Sequence, residues 1–189
     1  MTTKRVVPFE PDAHLEQTVA VLLRVWAADP GYPPRRSARA TPDSLKRWLE
    51  DDGELQRFAA TVDGTVAGHV MVAAPHRYLT DHLAGINYKP LAQGMAEIGK
   101  LFVDPLRQRL GIGAALLDAA LEGAWSADRQ PALAVLAPST AARSLYKARG
   151  MLERGTFNGR DGVNHVFVDE RLSPRPEAPM AAQRSAGFR

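Results

Sequence analysis

Apolar residues recur along this chain in two rhythms, and the changes between them mark its elements. From Leu15 through Val19, Leu22, Leu23 and Trp26 the spacing is three or four, the period of a helix buried along one face. Asp12 is placed to cap this helix, and Asp29-Pro30 ends it. Leu45, Trp48 and Leu49 form a second, shorter stripe, with Thr41 as cap and Pro42 at the first helical position, ending near Asp52-Gly53. The rhythm then becomes strand-like over Gln56–Val62 and Thr65–Ala73, joined by Asp63-Gly64, a pair suited to the left-handed conformations of a tight hairpin. Ahead of all this, Lys4–Phe9 reads as a short strand broken by Pro8 and Pro11. The proline-rich stretch from Asp29 to Arg36 reads as an irregular loop, with Tyr32 either a loop anchor or part of a substrate lid.

Residues 75–94 show no clear period and read as a long connection with room for one helical turn, of a length that often lines a binding site. Ala96–Val103 is the next strand, stopped by Asp104-Pro105. From Gly111, Ile112, Leu116, Leu117, Ala120, Leu121 and Ala124 return to helical spacing. Pro131–Ala137 is a continuous apolar run suited to a strand buried on both faces. Ser139 or Thr140 then caps a helix carrying Ala142, Leu145, Tyr146 and Arg149, and Gly150 supplies the left-handed stop. Met151–Asn158 and Val163–Asp169 read as a closing hairpin. The pattern thus predicts one mixed α/β (α+β) domain over 1–170, ordered β-α-α-β-β-β-α-β-α-β-β, with 171–189 a flexible, proline-bearing tail.

Composition narrows the picture. The 189 residues, 45% hydrophobic and 24% charged, suffice for one folded core. There is no cysteine, which removes disulfides, thiolate metal sites and cysteine nucleophiles. No run reaches membrane-spanning length and the start lacks signal-peptide character, so a cytoplasmic location is expected. Net charge is only +3, and the one tight arginine cluster, Arg35, Arg36 and Arg39, has no interleaved aromatic stripe to support a nucleic-acid partner. His76, Asp81 and His82 match no metal-ligand pattern, and no metal is expected.

The chemistry concentrates in Gln108-Arg109-Leu110-Gly111-Ile112-Gly113, between a strand and a helix. Such a turn leaves main-chain N–H groups unpaired at the positive end of the helix dipole, which favours phosphate. Gly111 and Gly113, lacking Cβ, allow close approach, and Arg107 and Arg109 add charge. A P-loop is excluded, because Ile112-Gly113-Ala114 lacks lysine and hydroxyl. A dinucleotide fingerprint is excluded because Leu116 stands where its third glycine belongs.

What remains, Gln/Arg-x-x-Gly-x-Gly/Ala after a strand ending Val-Asp-Pro, resembles the acyl-CoA signature of the GNAT superfamily of N-acyltransferases. A second segment, Ser139-Thr-Ala-Ala142-Arg-Ser-Leu145-Tyr146-Lys-Ala-Arg-Gly150-Met151, is similar to that family's Asn-x-x-Ala-x-x-Leu-Tyr-x-x-x-Gly-Phe, with Ser139 in place of asparagine and Met151 in place of phenylalanine. The element order is also the family's, with a mostly antiparallel central sheet of about seven strands and about four helices, so the likeness runs to about Glu170.

The resemblance implies an acetyl-CoA-dependent N-acetyltransferase that transfers the acetyl group directly to a primary amine in a ternary complex. It implies a cofactor site made by Leu101 N–H at the acyl carbonyl, Phe102 and Val103 along the pantetheine, Gln108, Arg109, Leu110, Gly111, Ile112, Gly113 and Ala114 at the pyrophosphate, and Ser139 and Tyr146. Tyr146 matches the family's general acid, and its phenol is protonated near neutral pH. Glu97 matches the glutamate base of the histone-type members, and strand alternation puts it on the side of Leu101 and Val103. His69 reads as a core histidine bonded to a neighbour. The acceptor, a small molecule or a protein or peptide amine, stays unnamed, and homodimer formation stays open. The rival reading is a non-catalytic acyl-CoA-binding or sensing module on the same fold, in which Glu97 and Tyr146 are structural.

Overall fold

A computed structural model describes residues 3–29, 32, 41–50 and 53–171. Its elements are β1 (Lys4–Pro8), α1 (Pro11–Ala28), α2 (Pro42–Leu49), β2 (Glu54–Val62), β3 (Thr65–Ala73), α3 (Arg77–Gly85), β4 (Met95–Val103), a 3-10 turn (Pro105–Arg107), α4 (Ile112–Ser126), β5 (Gln130–Leu136), α5 (Thr140–Ala148), β6 (Leu152–Gly159) and β7 (Gly162–Val168). Most of the expected loop around Tyr32 and the expected tail lie outside the described residues.

The strands form one sheet in the order β1-β2-β3-β4-β5-β7-β6. All neighbours are antiparallel except β4 and β5. The hairpin at Asp63-Gly64 is as expected, with φ of 50° and 80° at the two turn residues. Thr41 caps α2 through a reciprocal box, its Oγ1 accepting from Ser44 N–H (3.2 Å) while Ser44 Oγ accepts from Thr41 N–H (2.9 Å).

Two local expectations change. α1 is capped at Glu10, not Asp12, because Pro11 takes the first helical position, where its missing N–H has no consequence. The stretch read as an irregular connection contains a nine-residue helix, α3. Only Leu79 and Leu83 on it are buried, one apolar pair four residues apart, too little to stand out as a period.

One face of the sheet is covered by α4, whose Ile112, Leu116, Leu117, Ala120, Leu121 and Ala124 pack on Ala96, Ile98 and Leu133. The α1–α2 pair packs on Val66 and Phe102, while α3 packs with Met95, Ala132, Val166 and Val168. Since residues alternate between faces, Met95 and Ala96 of β4 lie on opposite sides, so α3 and α4 do too.

The feature that shapes the site is a parting of strands. β4 and β5 pair only at Met95↔Gln130, Ala96↔Pro131 and Glu97↔Ala132. Beyond Glu97, β4 stays with β3, whereas β5 follows β7 from Ala132↔Val168 to Leu136↔Asn164. A wedge opens between them in mid-sheet, and its edges carry main-chain groups that a continuous sheet would have paired.

Candidate functional site

The β4 wall of the wedge is set by a bulge. Its register with β3 runs Val103↔Gly68, Phe102↔His69 and then Gly99↔Met71, so β4 carries one extra residue, and Lys100 there takes a positive φ of 52°. The Lys100 carbonyl points at β3, 2.9 Å from His69 Nδ1. In a trans peptide the N–H opposes the C=O, so Leu101 N–H points the other way, into the wedge. Asp104 N–H donates to Ala67 O (2.8 Å), which fixes the antiparallel phase and turns the main-chain groups of Val103 to the same free edge. These are the groups expected to meet the acyl carbonyl and the pantetheine. Phe102, by contrast, directs its main-chain groups to β3 and its ring into the α1–α2 core, so of the three expected strand contacts Phe102 is the one turned away.

At the open end of the wedge, Asp104 organises the turn that leads into α4. Its Oδ1 accepts from Leu106 N–H (3.1 Å), and its carboxylate is held by Arg24, with Nε 3.1 Å from Oδ2. Burial pushes the Asp104 carboxyl up, but the Arg24 guanidinium and the Leu106 N–H outweigh it and leave the group below its ordinary value. Lys4 Nζ donates to Leu110 O (2.9 Å) and ties the turn to β1. Arg109 and Gly111 both take left-handed φ, 62° and 78°. The first bond of α4 runs from Ala115 N–H to Gly111 O (3.0 Å), so the N–H groups of Ile112, Gly113 and Ala114 have no acceptor within the helix.

The two glycines divide the work differently from the expectation. A Cβ on Gly111 would meet nothing within 4 Å, whereas one on Gly113 would point at Val103 Cγ2 (3.5 Å) and Leu145 Cδ2 (3.7 Å). Gly111 supplies the turn's conformation and the open space; Gly113 lies against packed side chains.

Two tyrosines flank Leu101. Tyr146, on α5 in the α4-side core, is only 7% exposed, its ring tilted on Phe167 at 5.6 Å. Burial pushes its phenol up to about 12, so it carries its proton at neutral pH and can donate. Tyr32 comes from the opposite face, packed on Trp48 and Phe102, and its hydroxyl donates to Leu101 O (3.2 Å). Its phenol is raised still further by burial and then by proximity to Tyr146. The anchor reading of Tyr32 therefore describes its contacts, and the anchor point is the free edge of β4. Ser139 begins α5 without using its side chain as a cap, and its hydroxyl remains available to a ligand.

Glu97 is placed otherwise than strand alternation suggested. Ala96 and Ile98 face the α4 core, so Glu97 between them faces away; Leu101 and Val103 face the α4 core again because the extra residue at Lys100 resets the phase. Glu97 thus lies at the vertex of the wedge, on the face opposite Leu101 and Val103, and is 6% exposed. Its Oε1 accepts from the Tyr78 hydroxyl, and its Oε2 accepts from His76 N–H (2.8 Å) with His76 Nδ1 at 3.1 Å. Tyr78 stacks between His76 (5.5 Å) and Phe157 (5.5 Å). His76 and Tyr78 belong to the stretch that has no readable period, and no spacing in the sequence ties them to Glu97. No group of three or more His, Asp or Glu side chains suited to a metal exists among the described residues.

A parted sheet, a donor-bearing strand edge and a phosphate-type turn at a helix start together define an acyl-CoA transferase architecture. The chain belongs to the acetyltransferase (GNAT) family, whose model matches residues 22–151, and it is accordingly an acyltransferase enzyme. No curated protein matches it in sequence. Among solved structures it is similar to a GNAT-family acetyltransferase from Streptococcus pneumoniae (18% identity, TM-score 0.63, covering 88% of this chain and 99% of that one). It is similar to yncA, a putative acetyltransferase of Salmonella typhimurium solved with acetyl-CoA (16%, 0.61, 95% and 98%). It is also similar to Arabidopsis thaliana NAA60 in complex with acetyl-CoA (19%, 0.62, 88% and 98%). At these identities the likeness concerns the fold. No helix among the described residues is long and apolar enough to cross a membrane.

Proposed function

We propose that this chain transfers an acetyl group from acetyl-CoA to a primary amine, with Leu101 N–H as the donor to the acyl oxygen. The observation that carries the reading is the Lys100–Leu101 peptide. Its carbonyl is committed to His69, and its N–H is thereby aimed into a wedge that also has an uncommitted helix N-terminus at one end. A thioester carbonyl at Leu101 and a pyrophosphate on Ile112, Gly113 and Ala114 would use both sets of groups, and the Gly111 space would admit the phosphate.

When bound, acetyl-CoA supplies an activated acyl carbon and a thiolate leaving group. Leu101 N–H stabilises the charge that develops on the acyl oxygen as the amine nitrogen bonds to carbon and the C–S bond breaks. Tyr146, held protonated on the α4 side, gives its proton to the departing sulfur. Glu97, on the other face with His76 and Tyr78, receives the proton that the amine gives up. The amine then enters from the α3 side and the thiol leaves toward α4, so the two proton transfers take place on opposite faces of the sheet.

The test is a melting curve with acetyl-CoA, with CoA and with ATP, followed by a panel of amines in a thiol-release assay. Acetyl-CoA at about 100 times Kd stabilises the native state by about 2.7 kcal/mol, a rise of about 5 to 10 °C for a domain of this size. Equal shifts with ATP, or no shift, refute the reading. Binding of acetyl-CoA without thiol release on any amine of the panel refutes transfer to a primary amine.

A further inference from the structure

We propose that His69 is a positioning residue for acetyl transfer, acting through the Lys100–Leu101 peptide to aim and polarise Leu101 N–H. The proposal rests on the acetyl-transfer reading above and extends it to a residue on the neighbouring strand that lies outside the wedge.

His69 is fully buried in β3, its ring stacked on Phe102 (5.2 Å, 23°) and set edge-on to Phe9 (5.5 Å, 90°), so it cannot turn. A carbonyl oxygen can only accept, so the 2.9 Å contact with Lys100 O requires the proton on Nδ1. Burial holds the imidazole's pKa down at about 3, so the ring is neutral at working pH and has this one N–H to give. Nε2 is then a bare acceptor, buried and with no partner among the described residues. A leucine there would bury no bare Nε2 but would take this donor away from the Lys100 carbonyl; what the histidine contributes is the Nδ1 bond.

That bond falls on the one peptide the site depends on. Lys100 sits at the bulge with left-handed φ, a conformation disfavoured for a residue with a side chain, and neighbouring structure must hold it there. Its side chain reaches the end of α2, with Nζ 2.9 Å from Glu50 O and 3.3 Å from Leu49 O. His69 holds its carbonyl. Hydrogen bonds in series polarise one another, so donation from Nδ1 to Lys100 O makes Leu101 N–H a stronger donor, besides fixing its direction.

His69→Leu and His69→Asn test this. Asparagine Nδ2 lies as far along the side chain from Cα as imidazole Nδ1 and keeps the donor, while leucine fills space without one. In His69→Leu the Leu101 amide proton should move upfield in the free protein, and kcat with the best amine of the panel should fall by about ten- to a hundredfold, less than the roughly 10²–10³ for losing an oxyanion donor outright. His69→Asn should restore both, although its smaller side chain lowers the melting temperature; a merely structural histidine would show no such rescue. Wild-type kcat and amide shift in His69→Leu, or an asparagine variant as impaired as the leucine one, would overturn the proposal. If neither variant folds, the ¹⁵N resonances of His69 in the wild-type protein decide: a protonated Nδ1 supports the proposal and a protonated Nε2 overturns it. A wild-type protein that binds no acetyl-CoA sinks the acetyl-transfer reading itself. The amide response in the free protein tells that outcome apart from failure of the brace.

Discussion

Substituting alanine at Gly111 and at Gly113 separates two roles that the motif presents as one. At Gly111 φ is +78°, and an added Cβ has open space around it, so the cost is conformational. Holding a residue with a side chain in the left-handed region costs about 1–2 kcal/mol. At about 2–4 °C per kcal/mol, Gly111→Ala should melt about 2 to 8 °C lower. At Gly113 the backbone is helical, and the contacts of 3.5 and 3.7 Å to Val103 and Leu145 are ordinary van der Waals distances. Alanine there regains about 0.5–1 kcal/mol of helix propensity, so the melting point should hold or rise slightly. The effect on ligand follows the same division. Relaxing the strain at Gly111 re-aims the Ile112 and Gly113 N–H groups, and losing one hydrogen bond to a charged group, about 1.5–3 kcal/mol, weakens acetyl-CoA by about ten- to a hundredfold. Gly111→Asn should be milder than Gly111→Ala, since asparagine tolerates the left-handed region. Differential scanning fluorimetry and calorimetric titration with acetyl-CoA measure both effects. If Gly113→Ala destabilises more than Gly111→Ala, or costs more affinity, the division is wrong.

Tyr146→Phe and Glu97→Gln should each lower kcat, with acetyl-CoA affinity near the wild-type value by calorimetry, because neither group is asked to bind the donor in the ground state; a lost Kd with unchanged kcat would contradict the assignments. Asp104→Asn should soften the acid limb of stability. The carboxyl lies below its ordinary value when folded, so its stabilisation is present above the unfolded pKa near 3.9 and is lost as pH falls through the folded one. The melting gap between wild type and variant should therefore be open at pH 7 and close in acid, and it should be small, because Arg24 is 42% exposed and water screens the pair. Gly68→Ala would put a Cβ 2.8 Å from the Phe102 carbonyl oxygen and 2.9 Å from Leu116 Cδ1, displacing β4 beside Leu101. Overpacking of this kind costs about 1–3 kcal/mol. Urea unfolding should register that loss, and an unchanged midpoint would show that β3 and β4 can part at no cost.

Where the residues alone determined local geometry, the sequence was readable. Asp63-Gly64 adopts the left-handed turn that only such residues take easily, and Thr41-Pro42 with Ser44 closes a capping box. The strand, turn and helix around Gly111 stand in the order that the motif requires. The face of Glu97 was not readable, because alternation assumes an unbroken pleat and the pleat slips at Lys100. A lysine carries no signal for a left-handed bulge; the conformation is imposed by His69, Glu50 and Leu49, all distant in the chain. α3 escaped for a related reason. Its two buried leucines gain their meaning from Met95, Ala132, Val166 and Val168, which only the folded sheet places beneath them.

The seam between β4 and β5 also has a mechanical meaning. Three residue pairs, with α4 on one face and the Leu79–Leu83 stripe of α3 on the other, join the plate made by β1–β4 to the plate made by β5–β7. A sheet so sparsely stitched is softest along that line, and its cheapest opening is a flexing of one plate against the other. An extended ligand lying in the gap would lace the plates together as an eighth strand does. Hydrogen exchange should then slow on both sides of the gap when donor binds, at amides that never touch it.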